Sequence, residues 1–345
     1  MLLLLLLATV LLPTVAVAQD VHVRVSPDVK TGIESTTEYP TIQMALDHHP
    51  FAAAGGRVFI EIAPGTYHER VIITQNHTNI TLLGMGKSPK DVVITNSLNA
   101  KQAGGTFFTE TVEINGTGFE ADNVTFENTA GNTGQAVAVA DRADRSIFKH
   151  CRFLGHQDTL FADYGRQYYV DSYIEGGVDF IFGNATAVFD HDELHANGPG
   201  YLTAQSRTSP DQTTGYVILN SKVTSAISHD SPPMEAATPG AESFASAHNT
   251  IGLGRPWRPY SRVIYINTEL PADLNPAGWN NWNNPANEKT AYYAESNSTG
   301  PGANPAARVP WSHQLAPSEA KQFLPATFLS GKDHWDPLAE ATKLP

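Results

Sequence analysis

Five polar residues, Gln135, Gln157, Asp158, Asp179 and Arg255, are of the types that carry acyl transfer, and their spacing is suggestive. The intervals from Gln135 to Gln157 and from Gln157 to Asp179 are both 22 residues. That lies in the range of repeat lengths at which a chain coils into a solenoid and stacks equivalent positions of successive turns. Residues stacked on adjacent coils of a parallel sheet lie roughly 4.8 Å apart, so Asp158 and Asp179 can face one groove. Two carboxyls that close do not both ionise readily, and one becomes an acid while the other stays a charged base. Arg255 decides which is which if it reaches Asp179. One coil, containing Tyr201 to Gln205, separates the two once Ser228 to His248 is looped out, and the small Ala204 leaves room for the guanidinium to cross. Asp179 is then the oriented nucleophile and Asp158 the general acid. The amide N–H groups of Gln135 and Gln157 supply an oxyanion hole for a tetrahedral intermediate.

The elements that must position this cluster are short strands. From about Val58 to Val223 the chain carries β-branched and aromatic runs separated by Gly, Asn and Asp, with no long helical period. Asn123-Val124-Thr125-Phe126, His150-Cys151-Arg152-Phe153, Ser172-Tyr173-Ile174 and Asp192-Glu193-Leu194 align on their alternation, with final apolar residues 27, 21 and 20 positions apart. A period drifting between about 20 and 30 fits a β-solenoid whose corners accept insertions, and not a βαβ fold, which needs amphipathic helices between strands. Tyr201 to Ala204 and Val217 to Val223 read as further strands. Ser228 to His248, rich in Pro, Ala and Ser, reads as a surface excursion, and Ala272 to Pro310 as an aromatic, loop-like tail. Short helices within Glu34 to His48 and near Pro317 to Phe323 are expected to cap the two ends.

Residues 1–18, MLLLLLLATVLLPTVAVA, are apolar and end in a small-residue pattern, as a cleaved export signal does, although no Lys or Arg precedes the run. The expectation is a single exported domain over 19–345, extracellular or periplasmic and monomeric. The run is short of the roughly 20 residues of a spanning helix and is interrupted by Pro13. With one cysteine, Cys151, no internal disulfide forms, and its neighbours suit a buried inert thiol. A net charge of −13 and a pI near 5.4 argue against nucleic acid or an anionic membrane as partner. A polyanionic substrate must be largely neutralised or meet a locally basic groove.

Eight strings in order, GTYHE (65–69), QAVAV (135–139), GHQDTL (155–160), VDFIFG (178–183), YLTAQSR (201–207), LGRPW (253–257), GWNNW (278–282) and GPGA (300–303), cover nearly all of the chain beyond residue 18. In these the sequence resembles the pectin methylesterases. The resemblance implies a right-handed parallel β-helix, removal of methanol from methyl-esterified homogalacturonan, and no cofactor or metal. It also implies Asp179 as nucleophile, Asp158 as acid/base, Gln135 and Gln157 as oxyanion donors and Arg255 as the partner of Asp179. Trp257, Phe182 and Phe161 resemble aromatics lining the sugar groove, where rings stack on apolar sugar faces.

Competing readings are a β-helical polysaccharide lyase, which would want a calcium site and a Lys or Arg base, and a non-catalytic polysaccharide-binding solenoid, which would be expected to lose one of the cluster residues. Tyr67 and Glu69 are expected to be structural. HDELH (191–195) departs from the H-E-x-x-H order and, on a strand, separates its two histidines. Six Asn-x-Ser/Thr sequons, at Asn76, Asn79, Asn115, Asn123, Asn184 and Asn297, are mostly expected to be solenoid-turn asparagines.

Overall fold

The computed structural model describes residues 19–30, 37–49, 52, 55–226 and 251–344. The expected signal at 1–18 and the excursion at Ser228 to His248 lie outside the described residues. In the chain's middle, each coil is a first-sheet strand, one left-handed residue, a second-sheet strand, a turn and a third-sheet strand. One coil comprises Ser146–Lys149, Arg152–Leu154 and Leu160–Ala162, and the next Arg166–Val170, Tyr173–Gly176 and Ile181–Gly183. Successive coils pair in parallel, building sheets of twelve, seven and seven strands among the described residues. This is a parallel β-helix.

Because equivalent positions point the same way in every coil, like side chains stack in the interior. Phe126 pairs with Phe153, Phe153 with Ile174, Ile174 with Leu194 and Leu194 with Val223, as the alternation predicts, and all five are buried. Phe148, Tyr169 and Phe189 stack face to face beside them, with centroids 4.8 and 4.6 Å apart. The corner between the first two sheets needs a residue at positive φ, and Asn123, His150, Asp171, His191, Asn220, Asn267 and Asn297 fill it in turn; Asn and Asp tolerate this region better than most residues. Their side chains form a ladder, with Asn297 Nδ2 donating to Asn267 Oδ1, Asn267 Nδ2 to Asn220 Oδ1 and Asn220 Nδ2 to Asp190 Oδ1. The sequons at Asn123 and Asn297 are thus ladder or corner positions.

The N-terminal helix is shorter than expected, Ile42–His48. Glu38–Tyr39 is instead a strand paired with Val21–Val25, itself an unforeseen first-sheet strand. Glu69 is structural: its carboxylate accepts the helix's first free N–H groups, Ile42 and Gln43, both at 3.0 Å. The buried Tyr67 hydroxyl donates to the Ala63 carbonyl. At the other end Tyr292–Ser296 is a strand paired with Arg262–Ile266, not loop. The helix Pro317–Ala320 and turn Lys321–Phe323 form as expected. The tail that follows does more than cover the end, since Leu329, Trp335, Ala341 and Leu344 pack over Ile147, Tyr168, Val188 and Val217 along the first sheet's outer flank. No described helix is long and apolar enough to cross a membrane.

Candidate active site

The site is built on the turn into the third sheet and on that sheet's outer face. Gln135 pairs with Gln157 in register, but Gln157 pairs with Val178. The common interval of 22 residues therefore stacks the two glutamines and not Gln157 with Asp179: the second coil is one residue shorter, and Asp179 stacks on Asp158. The difference is absorbed by a bulge. Gln135 is offset from its partner by 22 residues and Val139 from Leu160 by 21, and the N–H groups of Ala138 and Val139 both point at the Thr159 carbonyl. Asp158 and Asp179 share a left-handed backbone, at φ 63° and 48°, so both carboxyls leave the wall of the solenoid at the same corner.

Arg255 reaches Asp179. Ile181 and Thr203 are in register, as are Thr203 and Gly254, so Arg255 follows Ala204 one strand on, and its guanidinium crosses the small, buried Ala204. Nε donates to Asp179 Oδ1 at 3.0 Å and Nη2 to Oδ2 at 2.7 Å, a bidentate pair. Asp179 is 5% exposed and Arg255 4%, whereas Asp158, Gln135 and Gln157 keep part of their surface open. Burial pushes the Asp158 carboxyl well above the ordinary carboxylate range, the Asp179 charge pushes it further, and Arg255 only partly opposes. Burial raises Asp179 too, but there the charge and hydrogen bonds of Arg255 counteract it directly. The environments push the two carboxyls apart, with Asp158 the one that keeps its proton.

Phe161 and Phe182 belong neither to the solenoid interior nor to open surface. They follow Ala140 in register on the third sheet's outer face, stack at 4.6 Å, and form with Val137, Ala140 and Ala204 a separate apolar cluster against which Trp257 and Trp282 pack. Trp257 lies 6.0 Å from Phe182. Three further aromatics were unassigned in the sequence. Phe107, 44% exposed, extends the row at 4.9 Å from Phe161. Trp282 and Tyr201 lie 4.0 and 4.9 Å from Arg255 Cζ. Trp282 and Tyr201 sit in GWNNW and YLTAQSR, so those strings held the signal, but Phe107 had none. His156, which the sequence left out of the chemistry, packs its ring against Gly177 and Gly198, where a Cβ on Gly177 would meet it at 2.5 Å.

The bland readings hold elsewhere. His191 pairs with Asp190, His195 with Thr224, and no described group of three or more His, Cys, Asp or Glu residues is placed to hold a metal. Cys151 is buried, which drives its thiol pKa upward.

A buried Arg–Asp pair, a second carboxyl held protonated, two stacked amides and an aromatic-lined groove make an acyl-transfer site on a polysaccharide-sized surface, and comparison with known proteins agrees. The pectinesterase family model matches residues 28–332. Pectinesterase 31 of Arabidopsis thaliana is 38% identical over 312 residues, covering 87% of this chain and 92% of that one. Pectinesterase 2 of Citrus sinensis is 40% identical over 85% of this chain, which spans only 55% of its length. The solved structure of pectin methylesterase from carrot superposes with a TM-score of 0.80 at 33% identity, over 94% of this chain and 97% of that one. A pectin methylesterase solved in complex with a hexasaccharide has a TM-score of 0.71 at 26% identity, over 93% of this chain and 99% of that one. With a fold, a site and a whole-length match in agreement, the chain belongs to the pectinesterase family of carboxylic ester hydrolases.

Proposed function

We propose that this protein, as one exported catalytic domain over 19–345, hydrolyses the methyl esters of homogalacturonan to pectate and methanol. Asp179 attacks the ester carbonyl carbon, and Gln135 and Gln157 donate to the oxyanion that forms. The bond to methoxide breaks as Asp158 gives it a proton, leaving a mixed anhydride on Asp179. Asp158, now a carboxylate, takes a proton from water as that water attacks, which releases galacturonate and restores both carboxyls. The observation that carries this reading is the bidentate, buried Arg255–Asp179 pair beside a carboxyl that burial keeps protonated. Phe161, Phe182 and Trp257 offer apolar faces to the sugar rings, in keeping with the hexasaccharide bound by one structural relative.

The direct experiment is methanol release from methylated pectin in the presence of chelator. Steady release without unsaturated product supports ester hydrolysis. Loss of turnover in chelator with unsaturated ends in the untreated reaction points to a lyase, and binding without turnover points to a lectin-like solenoid. Two further outcomes follow. Ala204→Leu puts a larger side chain under the Arg255 guanidinium; overpacking costs about 1–3 kcal/mol, and kcat is expected to fall more than about tenfold as the Asp179 fork is displaced. A thermal melt beside the rate assay separates these effects. The chain's net charge of −13 predicts faster initial rates on high-ester than on low-ester pectin, with the gap narrowing as salt screens the repulsion. Equal rates at both salt levels would count against it.

A further inference from the structure

Beyond the buried Trp279, the loop carrying GWNNW adopts a backbone that bulky residues avoid. Trp282 has φ of 57° and Asn283 of 49°, in the left-handed region that costs an L residue free energy unless its surroundings impose it. The surroundings do impose it. Trp282 N donates to Asn280 Oδ1 at 2.6 Å, Asn281 Nδ2 to Glu288 at 2.7 Å, and Asn287 Nδ2 to the Asn281 carbonyl at 3.0 Å. This constrained turn sets the indole 4.0 Å from Arg255 Cζ. Tyr201, whose ring is 4.9 Å from the same atom, also fixes Asp179 from behind by accepting its backbone N–H at 2.7 Å. An arginine side chain is long and loses much rotamer freedom when fixed. A two-pronged hydrogen bond to a carboxylate works only when the guanidinium plane is set, and an aromatic ring against it sets that plane.

We propose that Trp282 is a positioning residue for the ester-hydrolysis reaction, its indole, with Tyr201, holding the Arg255 guanidinium in plane with the Asp179 carboxylate. The inference rests on the reading of Asp179 as nucleophile. Its consequence is that Trp282 acts on the chemical step rather than only on the grip of the sugar. With the ring gone, Arg255 wanders, Asp179 is less well held in its charged form, and the rate fails at a higher pH on the acidic side.

Trp282→Asn and Trp282→Phe test this. Asn tolerates the left-handed backbone, so the loop keeps its path without the ring, while Phe keeps a ring on the same backbone. The expected result for Trp282→Asn is a kcat lower by roughly five- to thirtyfold, the range of a desolvated cation–aromatic contact, with the acidic limb of kcat against pH moved upward. Trp282→Phe is expected to recover most of the kcat and bring the limb back towards wild type. A Trp282→Asn enzyme with raised KM but unchanged kcat and pH limb would overturn the proposal, as would a Phe variant displaced as far as the Asn variant. Asp179→Asn run alongside keeps the two readings apart: if it retains activity, the nucleophile assignment fails, whatever Trp282 does.

Discussion

Asp179→Asn is expected to lower methanol release by about 10^4-fold or more while leaving the β-helix folded. Loss of a nucleophile in hydrolases that form an acyl-enzyme has effects of that order, because what remains is binding and oxyanion stabilisation. Asn is nearly isosteric with Asp, so the neighbouring packing is kept, but an amide does not form the anhydride and offers N–H where Arg255 needs an acceptor. Asp158→Asn is expected to behave differently. It leaves the nucleophile intact and removes the proton donor, so the deficit shrinks on esters whose leaving group departs without a proton. Equal deficits for Asp158→Asn on methyl and activated esters would count against Asp158 as general acid.

The same carboxyls predict a bell-shaped pH profile. Asp179 must be charged to attack, so the rate falls as pH drops through its pKa. Asp158 must be protonated to release methanol, so the rate falls again as pH rises through its own, which burial and the Asp179 charge have displaced upward. The two apparent values belong to the pair rather than to either residue.

The second large effect is expected at Arg255. Arg255→Gln leaves the 5%-exposed Asp179 without its cation, and breaking a buried pair from one side typically costs about 3–5 kcal/mol. Asp179 relieves the cost by taking up a proton, which removes the nucleophile, so activity falls with stability. Pairing Asp179→Asn with Arg255→Gln is expected to recover much of the lost stability, because no buried charge is stranded, and none of the activity. Denaturant unfolding of the four proteins measures the coupling. Additive losses in the double variant would mean that the two side chains do not depend on each other.

Much of this arrangement was legible in the sequence, and the reasons are physical. In a solenoid the register is set by alternation within each coil, so Phe126, Phe153, Ile174 and Leu194 align by inspection and are found stacked. The path of Arg255 over Ala204 was likewise readable, because one small residue at the crossing point is a strong steric signal. The register of the site itself was not. Two equal intervals of 22 residues suggested a single stack, but a bulge at Ala138 and Val139 shifts the third-sheet strand by one residue and pairs the two aspartates instead. A bulge of this kind leaves no mark in an apolar pattern. The strand Tyr292–Ser296 was hidden among Asn- and Pro-rich loops. The left-handed turn at Trp282 was hidden because nothing about a tryptophan announces a positive φ.

The central claim is that Asp179 becomes covalently acylated, and trapping during turnover tests it most directly. With hydroxylamine present, attack on the mixed anhydride leaves a hydroxamate either on Asp179 or on the released galacturonate, and peptide mass spectrometry with product analysis detects both. The account predicts hydroxamate in one or both places for the wild type, at an unchanged rate of methanol release, and none for Asp179→Asn. Steady methanol release with no hydroxamate on enzyme or product, together with an active Asp179→Asn enzyme, would contradict it and leave water as the attacking group.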